Sequence, residues 1–134
     1  MFDERPDIQE RLDTEFVVWM TTVNPSGQPQ TSPVWFVVEG ESIVIYSLRG
    51  TPRTRNIAAN PRVSLNLNST TMGGEVVVIE GLAEIIGEDL SADADDDYVG
   101  KYESAMEDLG MTPETFARDY PIRIHVQPTR LRAS

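Results

Sequence analysis

A chain of 134 residues and 15.0 kDa is one domain's worth of protein, and 40% hydrophobic residues are enough to bury a core. No cysteine and a single histidine, His125, exclude a disulfide framework, thiolate chemistry and a multi-histidine zinc site within one chain, so no metal is expected. A net charge of −11, from 22 acids and 11 bases, disfavours nucleic acid and anionic membranes as partners.

Asp3 to Glu15 sets Ile8 and Leu12 at helical spacing among charges, which predicts a short amphipathic helix. The start of the chain carries acids where a secretory leader needs basic residues and an apolar stretch, and no apolar run nears the ~20 residues that span a bilayer; a cytoplasmic location is expected. Phe16 to Val23 and Gln30 to Val38 read as hairpin strands around the turn Asn24-Pro25-Ser26-Gly27-Gln28, with Pro33 implying an edge or bulge. A third strand spans Ser42 to Leu48. Thr51-Pro52 then opens a helix, Thr as N-cap and Pro at the first helical position, ending near Asn60 before Pro61. Arg62 to Asn68 alternates apolar and polar, and Ser69 to Gly74 is a loop. Glu75 to Ile86 is a long strand with a break or bulge at Gly81. Leu90 to Asp97 reads as a solvated acidic linker, followed by helices over Tyr98 to Leu109 and Thr112 to Arg118 and a last strand from Ile122 to Gln127. Hairpin-connected strands with a helix between the third and fourth predict a single small antiparallel barrel over residues 1–134.

Charge is segregated along the chain. From Ser42 through Gly74 there is no Asp or Glu, while Arg49, Arg53, Arg55 and Arg62 lie there: +4 against −15 on the remainder, within the total of −11. Glu84 to Asp108 holds ten acids and one base, Lys101, the sole lysine. The segment Ser47-Leu48-Arg49-Gly50-Thr51-Pro52-Arg53-Thr54-Arg55-Asn56 runs from a strand end through a glycine turn into a helix start. Unpaired N–H groups and the positive dipole end make that a seat for an anion, and guanidinium forks grip phosphate. An arginine in the first turn opposes the dipole unless an anion lies between them. The other reading is a surface helix whose arginines pair with the acidic segment downstream.

Several stretches together carry a resemblance. They are Thr21-Thr22-Val23-Asn24-Pro25-Ser26-Gly27-Gln28-Pro29, Ser32-Pro33-Val34-Trp35-Phe36-Val37, Gly50-Thr51-Pro52-Arg53-Thr54-Arg55-Asn56-Ile57, Asn60-Pro61-Arg62-Val63, Gly73-Gly74-Glu75 through Gly81, and Pro128-Thr129-Arg130-Leu131-Arg132. In this order, over nearly the whole chain, they resemble the split-barrel flavin/deazaflavin oxidoreductases related to pyridoxamine 5′-phosphate oxidase, and within them the coenzyme F420-dependent branch. The resemblance implies a mainly β split barrel with a few short helices, homodimeric, with a cofactor groove at the dimer interface. It implies that Thr51, Arg53, Arg55 and Asn56 hold the cofactor phosphate, with arginine at 53 where the family commonly has lysine, and that Arg49 is also cofactor-binding. Pro33, Val34, Trp35, Phe36, Ser47 and Leu48 would line the ring, and Met72, Gly73 and Gly74 would approach from the partner subunit. Relatives often end in an aromatic residue after the final Arg-x-Arg; this chain ends Ala133-Ser134.

The implied activity is hydride transfer between F420 and a small, unsaturated organic substrate, with the cofactor doing the difficult step. FMN is the alternative cofactor, since one phosphate suits the same basic segment, and a non-catalytic cofactor carrier is the alternative in kind. No catalytic side chain stands out: Tyr46, Tyr98 and Tyr102 read as packing residues rather than proton donors, His125 as structural or interfacial, and Trp19 as packed within the barrel.

Overall fold

The computed structural model describes residues 1–87 and 90–134. After a 3-10 turn at Phe2–Glu4 come α1 (Pro6–Thr14), β1 (Val18–Val23), β2 (Pro29–Val34), β3 (Val37–Glu39) and β4 (Ser42–Ser47). They are followed by α2 (Pro52–Ala59), β5 (Arg62–Asn66), β6 (Val77–Gly87), a 3-10 turn at Ala92–Ala94, α3 (Asp96–Asp108), α4 (Pro113–Asp119) and β7 (Ile122–Ala133). The strands form one antiparallel sheet in the order β2-β1-β5-β6-β7-β4-β3. This is the mainly β, hairpin-rich architecture that the alternation of the sequence implies.

Side-chain alternation sorts residues between two cores. On β1, Val18, Met20 and Thr22 are buried, while Trp19, Thr21 and Val23 take the outer face. Ile43 and Ile45 of β4 join the main core with Phe36, Leu65, Ile79 and Ile124, closed at one end by Ile8 and Leu12 of α1. Val44 and Tyr46, on the other face of β4, join a second core made by Tyr98, Tyr102 and Met106 of α3 and Phe116 of α4. A strand covered on both faces loses its polar alternation, which is why Ser42–Ser47 reads as a continuous apolar run.

Four sequence expectations need correction. Gln30 to Val38 is two strands rather than one. The chain breaks at Trp35-Phe36, where the Tyr102 hydroxyl accepts from the Phe36 N–H (2.8 Å) and lies 2.7 and 2.8 Å from the carbonyl oxygens of Phe16 and Phe36. Lys101 Nζ donates to the carbonyls of Leu12 and Phe36 (2.9 and 3.0 Å), so α3 side chains supply the hydrogen bonds that a continued ladder would have made. β7 does not stop at Gln127 but pairs with β6 as far as Val77↔Ala133. Pro128 is tolerated because it stands opposite Gly81 at the bulge, where the register slips by one residue at Thr129. The bulge expected at Gly81 is therefore present, and it needs glycine: a Cβ there would lie 2.7 Å from the Gln127 carbonyl oxygen. Trp19 is not inside the barrel; it is half-buried on the outer face, with Nε1 donating to Asn68 Oδ1 at 2.7 Å.

The fourth correction is the acidic linker. Asp95 is 3% exposed and caps α3 by accepting from the Tyr98 N–H. It also accepts from the Tyr46 hydroxyl at 2.6 Å. Arg123 of β7 donates to Glu39 (2.9 Å), to the Tyr46 hydroxyl (3.1 Å) and to His125 Nε2 (2.8 Å), and stands 4.0 Å from Asp95. This network fastens the helical layer α3–α4 to β3, β4 and β7. Glu39, Asp95 and Asp97 bring carboxylate oxygens within 4.8 Å of one another, and Arg123 pairs with Glu39 and Asp95.

Candidate cofactor site

The site begins where β4 ends. Ser47 is buried at the last position of β4, Gly50 turns the chain with φ +67°, and Thr51 caps α2 by accepting from the Thr54 N–H (3.3 Å). Thr51 and Pro52 occupy the N-cap and first helical positions that the sequence implies. α2 packs against β1 and β6, and the side chains of its first turns reach Ser32 and Gln30 of β2. Asn56 secures that placement, its Nδ2 donating to Thr22 Oγ1 (2.9 Å) and Gln30 Oε1 (2.8 Å). At 3% exposure, with both amide protons committed, Asn56 acts by holding the helix in place rather than by reaching into a groove.

Arg53 lies half-buried between the two strands. Its Nε and Nη2 donate to Ser32 Oγ (3.4 and 3.0 Å) and its Nη1 to Ser47 Oγ (3.0 Å). Burial lowers its pKa from the ordinary arginine value, but a guanidinium keeps its proton. Among the described residues no carboxylate pairs with Arg53 or Arg55; the ion pairs lie elsewhere. Arg55 donates to the Gly50 carbonyl (2.6 Å), bracing the turn. A partly desolvated cation held only by neutral hydroxyls, in the first turn of a helix whose dipole repels it, is electrostatically incomplete and suited to an anion. The alternative, arginines of α2 paired with the downstream acids, does not hold for Arg53 or Arg55 among the described residues.

Two hollows flank this turn and share Thr51. One, of about 210 Å³, is lined by Thr22, Gln30, Thr31, Ser32, Pro52 and Arg53. The other, of about 540 Å³, lies between Leu48-Arg49 and the connection from α4 to β7. Thr22, Gln30 and Ser32 line the first although the sequence singled out none of them as binding residues. Their alternation with the β2 edge was visible, but only the packing of α2 brings them beside Arg53.

Other expected residues fall differently. Pro33 is exposed opposite Trp19, and Val34 is buried. Phe36 is wholly buried, and Trp35 is sandwiched between Tyr102 (ring centroids 4.5 Å apart, 5° between planes) and Phe116 (5.6 Å, 13°). Both rings are therefore engaged in packing within this chain. Met72, 94% exposed, and Gly73 and Gly74 occupy the β5–β6 turn and line neither hollow. Tyr46, Tyr98 and Tyr102 are buried in the second core, and burial raises the pKa of each, consistent with packing roles. His125 is lowered, first by burial and then by Arg123, and its Nε2 accepts from that arginine.

Residues 5–126 match the family described as pyridoxamine 5′-phosphate oxidase. The chain belongs to that family. No curated protein matches it significantly. Solved structures share the fold at low identity. An F420 reductase superposes with a TM-score of 0.69 at 24% identity, covering 92% of this chain and 94% of that one. The heme storage protein HutZ of Vibrio cholerae gives 0.71 at 18%, covering 96% and 93%. A FAD-binding protein of Mesorhizobium loti gives 0.65 at 19%, covering 96% and 93%. These likenesses show the fold that the family match implies. Among the described residues no helix is long and apolar enough to cross a membrane.

Proposed function

We propose that the protein is a homodimeric oxidoreductase that binds coenzyme F420 and reduces a small unsaturated organic substrate. The observation that carries this reading is Arg53: a half-buried guanidinium at the first turn of α2, held by Ser32 and Ser47 and lacking a carboxylate partner among the described residues. A phosphate there would meet a charge-assisted fork, the Thr51 cap and the helix N-terminus together. The acid-free basic segment from Ser42 to Gly74 suits an extended anion, which favours F420 with its acidic tail. One structural neighbour being an F420 reductase agrees with this. FMN, with a single phosphate, is the alternative for the same fork. Either cofactor would supply the hydride carrier; Arg53, held by Ser47, would with Thr51 and Arg55 orient its phosphate, and Leu48 lines the adjoining hollow.

The outer face of β1, β5 and β6 supports the dimer. Thr21, Val23, Ser64 and Leu82 border one hollow of about 430 Å³, and Trp19, Asn66 and Val78 border another of about 600 Å³. A second copy on this face would cover Leu82, 48% exposed, and would let the partner's Met72–Gly74 turn complete the groove.

The test is equilibrium binding of F420 and FMN to the apo-protein, side by side. Tight F420 binding, weakened tenfold or more when Arg53→Ala and Arg55→Ala are combined, is expected, since charge-assisted hydrogen bonds contribute about 1.5–3 kcal/mol each. Affinity unchanged by that pair removes the phosphate site. Tight FMN with weak F420 transfers the protein to the flavin branch.

A further inference from the structure

Four aromatic rings form a nearly parallel stack through the helical layer. Tyr102 meets Trp35 at 4.5 Å and 5°, Trp35 meets Phe116 at 5.6 Å and 13°, and Phe116 meets Tyr120 at 4.4 Å and 11°. The inner end is fixed, because Tyr102 is fully buried and its hydroxyl is bound to the backbone of Phe36. Tyr120 is the outer end. One of its faces is covered by Phe116, and its ring lines the hollow of about 540 Å³ beside the turn that carries Thr51.

The rest of that hollow has a definite chemistry. Leu48, 42% exposed, and Met111 give apolar walls, Arg49 and Arg118 bring two guanidinium groups, and the one carboxylate in the lining, Asp119, lies 3.6 Å from Arg118 on an exposed pair that a ligand acid would compete for. Its volume is within the range of small-molecule sites. The hollow and the anion site share Thr51, so they belong to one region. An aromatic face held rigidly from behind presents a flat surface at little entropic cost, and offset stacking on it rewards planar ligands.

We propose that this cleft is the substrate subsite, and that it takes a flat, conjugated acid whose ring lies on Tyr120 and whose acidic group turns toward Arg118. The role as substrate rests on the oxidoreductase reading; the binding does not. Reduction would add a hydride and a proton across one double bond of the acceptor, while reduced F420 returns to its oxidised form.

The experiment uses 2-naphthoate as probe, titrated into the apo-protein by fluorescence and by ligand-observed NMR. Saturable binding with upfield shifts of the naphthoate ring protons is expected. Tyr120→Leu should weaken it about tenfold and Tyr120→Phe should leave it unchanged, since the face and not the hydroxyl is used. Arg118→Gln should weaken naphthoate severalfold while leaving naphthalene-2-methanol unaffected. Absence of saturable binding, or equal binding by Tyr120→Leu and wild type, overturns the proposal. Should Tyr120→Leu fail to fold, the upfield shifts in the wild type and the Arg118→Gln comparison decide. Arg53→Ala, which tests the cofactor site, should leave naphthoate binding intact: loss of F420 binding with retained naphthoate binding separates the two readings.

Discussion

Glu39 offers a test of the network that fastens the helical layer to the barrel. Burial, and then the hydrogen bond and charge of Asp95, push its carboxyl up to about 7, against an ordinary value of 4.5. Burial also pushes Asp95 up, but its hydrogen bonds with Glu39, Tyr46 and the Tyr98 N–H and the charge of Arg123 outweigh that and hold it below the ordinary value. Asp95 is thus ionised in folded and unfolded chains alike above pH 5, and adds nothing to the slope there. Glu39 binds a proton in the folded state that the unfolded chain has already released, so stability falls as pH rises from about 4.5 to 7. The full interval would correspond to about 3 kcal/mol; solvent contact at the exposed edge of Glu39 reduces the expectation to about 1–2 kcal/mol. Glu39→Gln keeps a donor for Asp95 and removes the titration. Urea denaturation of both proteins between pH 5 and 8 isolates the effect, because the remaining acids are common to both. The difference, variant minus wild type, should grow by about 1–2 kcal/mol in favour of Gln from pH 5 to 8. Parallel curves, or a difference that shrinks with pH, would refute the shared-proton account.

Gly81→Ala should destabilise by about 1–3 kcal/mol in chemical denaturation, since the new methyl meets the Gln127 backbone at 2.7 Å and the Val126 side chain at 2.8 Å. The buried tyrosines of α3 should respond in opposite ways. Tyr102→Phe strands the Phe36 N–H and should cost about 1–3 kcal/mol. Tyr98→Phe should be neutral or stabilising by up to about 1 kcal/mol, because the Tyr98 hydroxyl has no partner among the described residues. Sedimentation should show a dimer at micromolar concentration, and Leu82→Arg, placed on the outer face of β6, should shift it toward monomer; a wild-type monomer would remove the shared groove.

Features decided within a few residues were legible without a structure. Thr51-Pro52 specifies a helix start because the cap and the fixed proline φ act locally, and the arginines that follow oppose the dipole of their own helix for the same local reason. Gly81 marked the bulge in the same way. The features that escaped depend on segments far apart in the chain. Asp95 looks like one acid in a solvated run, yet Tyr46, 49 residues away, gives it a buried partner. β7 continues past Pro128 because the bulge opposite makes no demand for its missing N–H, a fact held in β6. Trp35 and Phe36 read as a strand segment beside a cofactor, while Tyr102 and Lys101 bend the chain there and draw the tryptophan into a ring stack. Ser32 becomes a ligand of Arg53 only when α2 packs on β1 and β6 and its first turn reaches β2. Local backbone chemistry set where elements begin and which segment carries positive charge; packing between distant segments set which side chains that charge meets, because burial and hydrogen-bond satisfaction are properties of the assembled core.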